Sequence, residues 1–181
     1  SIADLRSFAG QWPQINQYSD SLSQDNLSGT YPALSGDGNT LIIHDRYADA
    51  STVCGSLEVM RRSGLSWQSD KTQIEDQCIT ALYDVSQDGN AIAYEVANSL
   101  VVVAEYDAEG WIQVFSFTPP PGTQGLNALI NHDASVFVCT YFSFAPFTSQ
   151  AEVYDLSGNQ PVRRGDIIPL GPLSFVDSLD G

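Results

Sequence analysis

Short apolar segments alternate with polar turns along most of the chain, and no stretch has the apolar spacing of a long helix. The clearest unit is an apolar strand, the turn motif S-x-D-G-N and a second apolar strand, at residues 33–43 and again at 83–93. Weaker copies lie at 129–137 and at 178–181. Because Asp-Gly and Gly-Asn supply the positive φ angles of tight hairpins, each copy predicts a β-hairpin.

A second motif places Gly, Trp and Gln within five residues of one another, at 10–14, 64–68 and 110–113. Apolar strands precede the last two copies, so this motif predicts a second hairpin in each repeat. The repeats begin about 50 residues apart, and two hairpins in that length make four antiparallel strands. The apolar runs 41–43 and 100–103 do not alternate with polar residues, which is typical of strands buried on both faces.

A four-stranded antiparallel repeat of this length has the size of one β-propeller blade. The predicted fold class is all-β, with one segment over residues 1–181 in which the repeats stack as the blades of a partial propeller. The predicted repeats are 29–70, 79–117 and 126–165, with partial blades at 11–15 and 174–181. Three repeats and a fraction cannot close a ring. We expect a longer chain to complete it, with strands from a partner as the alternative.

The S-x-D-G-N turn, a V-x-V strand and the Gly-Trp-Gln segment together resemble WD-like and FG-GAP-like β-propeller repeats. They are most similar to the divergent repeats common in diatom and related algal proteins. The resemblance runs from Gln11 to Gly181 and implies a propeller fold, which hosts binding, scaffolding and catalysis alike. The chain has no Trp-Asp dipeptide and no D-x-[DN]-x-[DN]-G loop, so the calcium sites of FG-GAP repeats are not carried over.

Residues 118–122 contain three consecutive prolines followed by a glycine. Proline runs adopt an extended conformation, so this segment predicts a stiff, extended connector between the second and third repeats.

The net charge of −15, with a single lysine, excludes nucleic-acid binding through a basic groove and argues against docking on anionic lipid. The longest uncharged β-rich stretch, 98–104, is too short to span a membrane, so no membrane insertion is predicted. The scarcity of lysine, the many aspartates and the sequon at Asn26 favour an extracytoplasmic, secreted or organelle-lumen location.

No nucleophile, P-loop, zinc or dinucleotide motif occurs, and His44 and His132 fall on different repeats. We therefore predict no catalytic residue, no metal site and no cofactor. One aspartate recurs in each repeat, which we interpret as hairpin-turn chemistry rather than a metal-binding ring. The four are Asp37, Asp88, Asp133 and Asp180.

Cys54 and Cys78 each precede an apolar strand, and a disulfide between them is one interpretation of this pair. Cys139 lies within an apolar strand, where a buried free thiol is expected. Three cysteines without a C-x-x-C spacing do not indicate a metal site.

Aromatic side chains crowd residues 136–147 and continue past the expected end of the strand. We predict that Tyr141, Phe142, Phe144 and Phe147 contact a partner. The alternative is a long loop that folds these rings back over the core.

These features predict a non-enzymatic protein-binding or scaffold segment of a β-propeller protein, such as an accessory subunit of a larger assembly. Its partner would be a protein or a larger complex. Two alternatives remain: part of a propeller enzyme or lectin that acts on saccharides, and a self-associating shell or coat protein whose sheets are completed by strands from neighbours.

Overall fold

The structure is a computed structural model that describes residues 29–48, 53–74, 78–97, 100–144 and 147–170. The predicted partial blades at 11–15 and 174–181, the sequon at Asn26 and Asp180 lie outside these ranges. So do the side chains of Cys54 and Phe144, although their backbones belong to strands. No helix in the described part of the chain is long and apolar enough to cross a membrane.

The described chain forms three antiparallel sheets whose strands are hydrogen-bonded in sequence order. The first sheet contains β1 (Gly29–Leu34), β2 (Thr40–Ala48), β3 (Val53–Ser63) and β4 (Ser66–Ile74). The second contains β5 (Ile79–Val85), β6 (Ala91–Val96), β7 (Leu100–Asp107) and β8 (Gly110–Phe117). The third contains β9 (Thr123–Ile130), β10 (Val136–Phe144) and β11 (Phe147–Asp155), with β12 (Val162–Arg163) and β13 (Ile168–Leu170) both paired to β11. The predicted all-β fold of antiparallel four-stranded sheets is confirmed.

Each S-x-D-G-N segment closes a hairpin through the same hydrogen bonds. In the second sheet Ser86 Oγ donates to Asp88 Oδ1 (2.8 Å), which also accepts from the Asn90 backbone N–H (3.0 Å). Ser86 Oγ in turn accepts from the Ala91 N–H (2.9 Å), and Gly89 provides the positive φ of 70°. The turns at 35–40 and 131–136 repeat this arrangement. The turn residues therefore set the start of β2, β6 and β10 alike.

The second sheet is buried between the other two, and successive residues of β6 face opposite neighbours. Ala91 and Ala93 pack with residues of the third sheet, whereas Ile92 and Tyr94 pack with residues of the first. Burial on both faces explains why this strand lacks polar alternation.

The hairpin turns also join the sheets along one edge of the stack. The Asp37 N–H donates to the Gln87 carbonyl (2.8 Å), and the Gln87 N–H donates to the His132 carbonyl (2.9 Å). We call this edge, formed by the turns 35–39, 86–90 and 131–135, the turn edge. The tip of the β10–β11 hairpin lies at the other end of the third sheet, which we call the hairpin edge.

The proline segment connects β8 to β9, but it ends in a turn and is not extended over its full length. The Thr123 N–H donates to the Pro120 carbonyl (3.1 Å), and Gly122 has a φ of 82°. Pro121 and Gly122 are thus the central residues of a turn of the kind that needs a positive φ at its third position. The segment reverses the chain between the second and third sheets.

Candidate functional site

The turn edge contains a cleft of about 300 Å³ between the second and third sheets. The second sheet contributes its hairpin turn and the end of β7, and the third contributes its own hairpin turn. The lining includes Asp88, Asn90, Ala91, Glu105, Asp133 and Ala134. The cleft is therefore polar and carries three carboxyl groups.

Two of these carboxylates are held in the charged form by their own turns. Burial raises the pKa of Asp88, but the hydrogen bonds from Asn90 and Ser86 outweigh it, so the pKa lies below its ordinary value. The side chain and backbone of Ser135 likewise lower the pKa of Asp133. Both groups are ionised at neutral pH, which makes the cleft a region of negative potential.

The aspartates of the three described turns lie on separate sheets and accept hydrogen bonds within their own turns. In the described residues no group of three His, Cys, Asp or Glu side chains is arranged to hold a metal ion. The two histidines are not brought together: His44 Nε2 lies 3.3 Å from the Ile79 carbonyl, whereas His132 is exposed in the third turn.

The aromatic residues of the β10–β11 hairpin divide between its two faces. Tyr141 is only 1% exposed, and its hydroxyl donates to Glu152 Oε1 (2.8 Å) between the second and third sheets. Phe142 lies on the other face, where its ring centre is 5.8 Å from that of Phe147. Phe147 is 45% exposed, and Phe144 pairs with it through the backbone. Tyr141 therefore supports the hairpin from within the core and offers no contact surface.

Two glutamates between the second and third sheets are absent from the sequence-based predictions, of which Glu152 is buried and Glu95 is half-buried. Glu152 accepts hydrogen bonds from the hydroxyls of Tyr141 (2.8 Å) and Tyr154 (2.9 Å), and Arg163 lies 3.5 Å away. Glu95 accepts from Tyr83 and from Thr80 (3.1 Å). The signal in the sequence is a glutamate inside an otherwise apolar strand, at 93–96 and at 151–154.

The cysteines differ in oxidation state. Cys78 is disulfide-bonded, and Cys139 is a free, buried thiol, as expected. Burial, reinforced by the negative charges of Glu152 and Glu95, raises the pKa of the Cys139 thiol to about 12. This thiol is protonated at neutral pH and is a poor nucleophile. The pairing of Cys54 with Cys78 remains a prediction, because the Cys54 side chain lies outside the described residues.

No protein-family model and no curated protein matches the chain. Among solved structures, the chain is similar to a Lactobacillus plantarum protein determined by structural genomics, with a TM-score of 0.52 and 14% sequence identity. The match covers 78% of this chain and 42% of that protein, so the chain spans less than half of its relative's length. At this identity the likeness shows the fold alone, and it supports a propeller-like stack of four-stranded sheets.

Proposed function

We propose that this chain is a non-enzymatic protein-binding segment of a β-propeller protein, and that its partner contacts the tip of the β10–β11 hairpin. The observation that carries the proposal is the exposed ring of Phe147, which packs against the half-buried ring of Phe142 at the hairpin edge. The net charge of the chain is −15, so most of its surface is costly to remove from water. An exposed aromatic ring is an apolar part of that surface, from which a partner can displace water at a low cost in free energy.

Other exposed apolar side chains lie on the outer strands of the third sheet. Ile168 pairs with Ala151, midway along β11, whereas Val162 pairs with Asp155, at the end of β11 opposite Phe147. Val162 is 61% exposed, Ile167 39% and Ile168 46%, all on or beside β12 and β13. The remaining large exposed apolar residues of the described chain are scattered over the first two sheets as Leu34, Leu65 and Ile112. Single exposed apolar residues are ordinary on a protein surface, whereas a group of them on one element supports an interaction site.

The hairpin is also held in place before any partner arrives. Tyr141 and Glu152 anchor its two strands to each other within the core, so the exposed ring of Phe147 lies on a fixed base. A preformed contact loses less conformational entropy on binding than a flexible loop. The protonated Cys139 thiol and the separated histidines support a role without catalysis.

The proposal is tested with Phe147→Asp, using Leu65→Asp as the matched control because Leu65 is 77% exposed on the first sheet. Wild type and both variants are used to capture proteins from an extract of the source cells, with quantitative mass spectrometry as the readout. We expect one protein to be retained by wild type and Leu65→Asp but reduced about tenfold or more by Phe147→Asp. Retention by Phe147→Asp, with unchanged circular dichroism, would contradict the proposal.

The same variants separate the alternatives. Light scattering tests whether the partner is a second copy of the chain. In that case wild type would have a mass above the 19.6 kDa of the monomer, and Phe147→Asp would have the monomer mass. Saccharide binding that is unchanged in Phe147→Asp would instead favour the lectin or enzyme alternative.

We also propose a Cys54–Cys78 disulfide and an oxidising compartment, secreted or in an organelle lumen, which the bonded state of Cys78 supports. Peptide mass mapping of the natural protein without reduction should recover residues 54 and 78 in one cross-linked peptide. Recovery of Cys78 linked to any other thiol would contradict the pairing.

A further inference from the structure

At the turn edge, the groove between the first and second sheets is filled by the side chain of Arg61. Its Nη1 donates to Thr40 Oγ1 (2.8 Å), to the Gly89 carbonyl (3.2 Å) and to Asn90 Oδ1 (3.2 Å). The guanidinium carbon also lies 5.1 Å from the centre of the Tyr106 ring. One sheet therefore places a guanidinium group against the hairpin turn of the next sheet.

The strand register identifies the corresponding position in the next groove. Thr40, the first residue of β2, pairs with Arg61 on β3. Ala91, the first residue of β6, pairs with Glu105 on β7 in the same way. Glu105 therefore occupies the place of Arg61, and Ala91 occupies the place of Thr40. Between the second and third sheets the charge is reversed and the neighbouring side chain is smaller.

The turn-edge cleft lies where these two replacements occur. Glu105 and Ala91 line it from the second sheet, and Ala134 lines it from the third sheet, in the turn position that Gly89 occupies in the second. Arg61 contacts the carbonyl of Gly89, and the Ala134 carbonyl is its counterpart here. The position that a guanidinium occupies in the first groove is thus taken by a carboxyl group in the second. Asn90 and Tyr106, which contact Arg61, also line the cleft, so the cleft adjoins the Arg61 guanidinium.

We propose that the turn-edge cleft binds a guanidinium group, supplied by an arginine side chain of a partner protein. A guanidinium presents several N–H donors in one plane, which suits a narrow groove with carboxylate and carbonyl acceptors. The cleft and the aromatic hairpin lie at opposite ends of the third sheet, separated by the length of β10, roughly 30 Å. The cleft is a separate surface, and its test does not depend on the hairpin.

The first experiment titrates the isotope-labelled protein with the peptide Gly-Arg-Gly-amide while backbone amide signals are followed by NMR. Gly-citrulline-Gly-amide is the matched control because citrulline keeps the shape of arginine without its charge. We expect the arginine peptide to shift the amides of Asn90 and Ala134 with millimolar affinity, about tenfold tighter than citrulline. Equal shifts from both peptides, or shifts from calcium chloride but not from the arginine peptide, would overturn the proposal.

The second experiment changes the cleft itself. Glu105→Arg should place a guanidinium in the cleft and abolish peptide binding, although Ala91 lacks the hydroxyl that Thr40 offers to Arg61. Glu105→Gln should weaken peptide binding about tenfold while the amide spectrum outside the cleft stays unchanged. Asp166→Asn removes the same charge from an exposed position away from the cleft and should bind like wild type. Wild-type affinity in Glu105→Gln, or an equal loss in Asp166→Asn, would show that the cleft is not the binding site.

Discussion

The two interfaces of the stack have the same backbone arrangement but different interiors. Between the first and second sheets the buried residues are mainly aliphatic, with Ile42, Leu57 and Ile92 fully buried. Its buried polar groups include the imidazole of His44, directed at a backbone carbonyl, and the hydroxyl of Thr40, which accepts from Arg61. This interface depends on many similar contacts of moderate strength.

Between the second and third sheets the interior consists of rings, carboxyl groups and a thiol. The ring centre of Phe137 lies 5.1 Å from that of Phe115 and 6.2 Å from those of Phe117 and Tyr154. Around this cluster the hydroxyl of Tyr141 is hydrogen-bonded to Glu152. The stability of this interface is concentrated in few residues.

The comparison shows which parts of a repeat are fixed and which vary. The turn hydrogen bonds and the uninterrupted pairing of the second strand with the third recur in each sheet, because the hairpin depends on local hydrogen bonds. The side chains between sheets and at the groove mouth vary, because each is fitted only to its one neighbouring sheet. Features that distinguish one repeat from another, such as the turn-edge cleft, therefore arise between sheets.

The largest expected effect is from Phe137→Ala, which removes the ring shared by three aromatic contacts. A buried phenylalanine truncated to alanine costs about 3–5 kcal/mol, because transfer energy is lost and a cavity is left. Urea denaturation measures this loss, and near-ultraviolet circular dichroism should weaken as the remaining rings loosen. Ile112→Ala, at a position 46% exposed, is the control and should stay within about 0.5 kcal/mol of wild type. If Phe137→Ala also changed the free energy of unfolding by only about 0.5 kcal/mol, the stability of this interface would not depend mainly on the Phe137 ring.

The next largest effect is expected from Gly89→Ala, compared with the same change at Gly38. A Cβ built on Gly89 would lie 2.1 Å from Thr40 Oγ1, and the φ of 70° is itself unfavourable for alanine. We expect Gly89→Ala to cost about 2–4 kcal/mol, against about 1 for Gly38→Ala, whose φ is similar but whose Cβ meets no atom within 4 Å.

The interface between the second and third sheets already contains a small residue at both positions, because Ala134 has a φ of 56° and the residue in the Thr40 position is Ala91. In the first groove a Cβ at position 89 would also lie 2.2 Å from Thr40 Cβ, which alanine keeps, so Thr40→Gly is the change that removes the contact. In a double-mutant cycle in urea, Thr40→Gly should lower the cost of Gly89→Ala by about half. Additive losses in the double variant would show that the Thr40 contact is not what excludes a side chain at position 89.

The hairpins could be predicted from the sequence because their causes are local. Ser35, Asp37 and Asn39 are hydrogen-bonded to one another, so the residues of the motif themselves determine the conformation of the turn. Pro121-Gly122 is an equally local turn signal, and the interpretation of the proline run as extended missed it. Local signals of this kind establish the strands and the all-β class.

The candidate sites depend on information that is not local. The number of aromatic residues at 136–147 does not show which face of the strand each ring occupies. Because alternate residues of a strand share a face, Tyr141 lies on the same core-facing side as the buried Phe137 and Cys139. Glu105 belongs to no motif. Its role follows only from the register that makes it the counterpart of Arg61, and from the contact of Arg61 with a turn in the next sheet. Such contacts require the sheets to be stacked first.

The smallest expected effect is a dependence of stability on alkaline pH, carried by the interface between the second and third sheets. Burial raises the pKa of Tyr154 to about 12 and that of the Cys139 thiol to about 12, and raises the pKa of Tyr141 above its ordinary value. In the unfolded chain these groups lose their protons near pH 8.5 to 10, roughly their ordinary pKa values. Their contribution to stability is therefore complete below about pH 8.5 and is lost as the pH rises further, because the unfolded state then binds fewer protons than the folded state.

Urea denaturation between about pH 8 and 10.5 should show this decline, with each group contributing at most about 1.4 kcal/mol per pH unit. Tyr141→Phe removes one of these groups and should flatten the slope. If Tyr141→Phe retained the wild-type slope, the alkaline loss of stability would have to come from other groups, and the hydrogen-bonded hydroxyl of Tyr141 would not contribute to it.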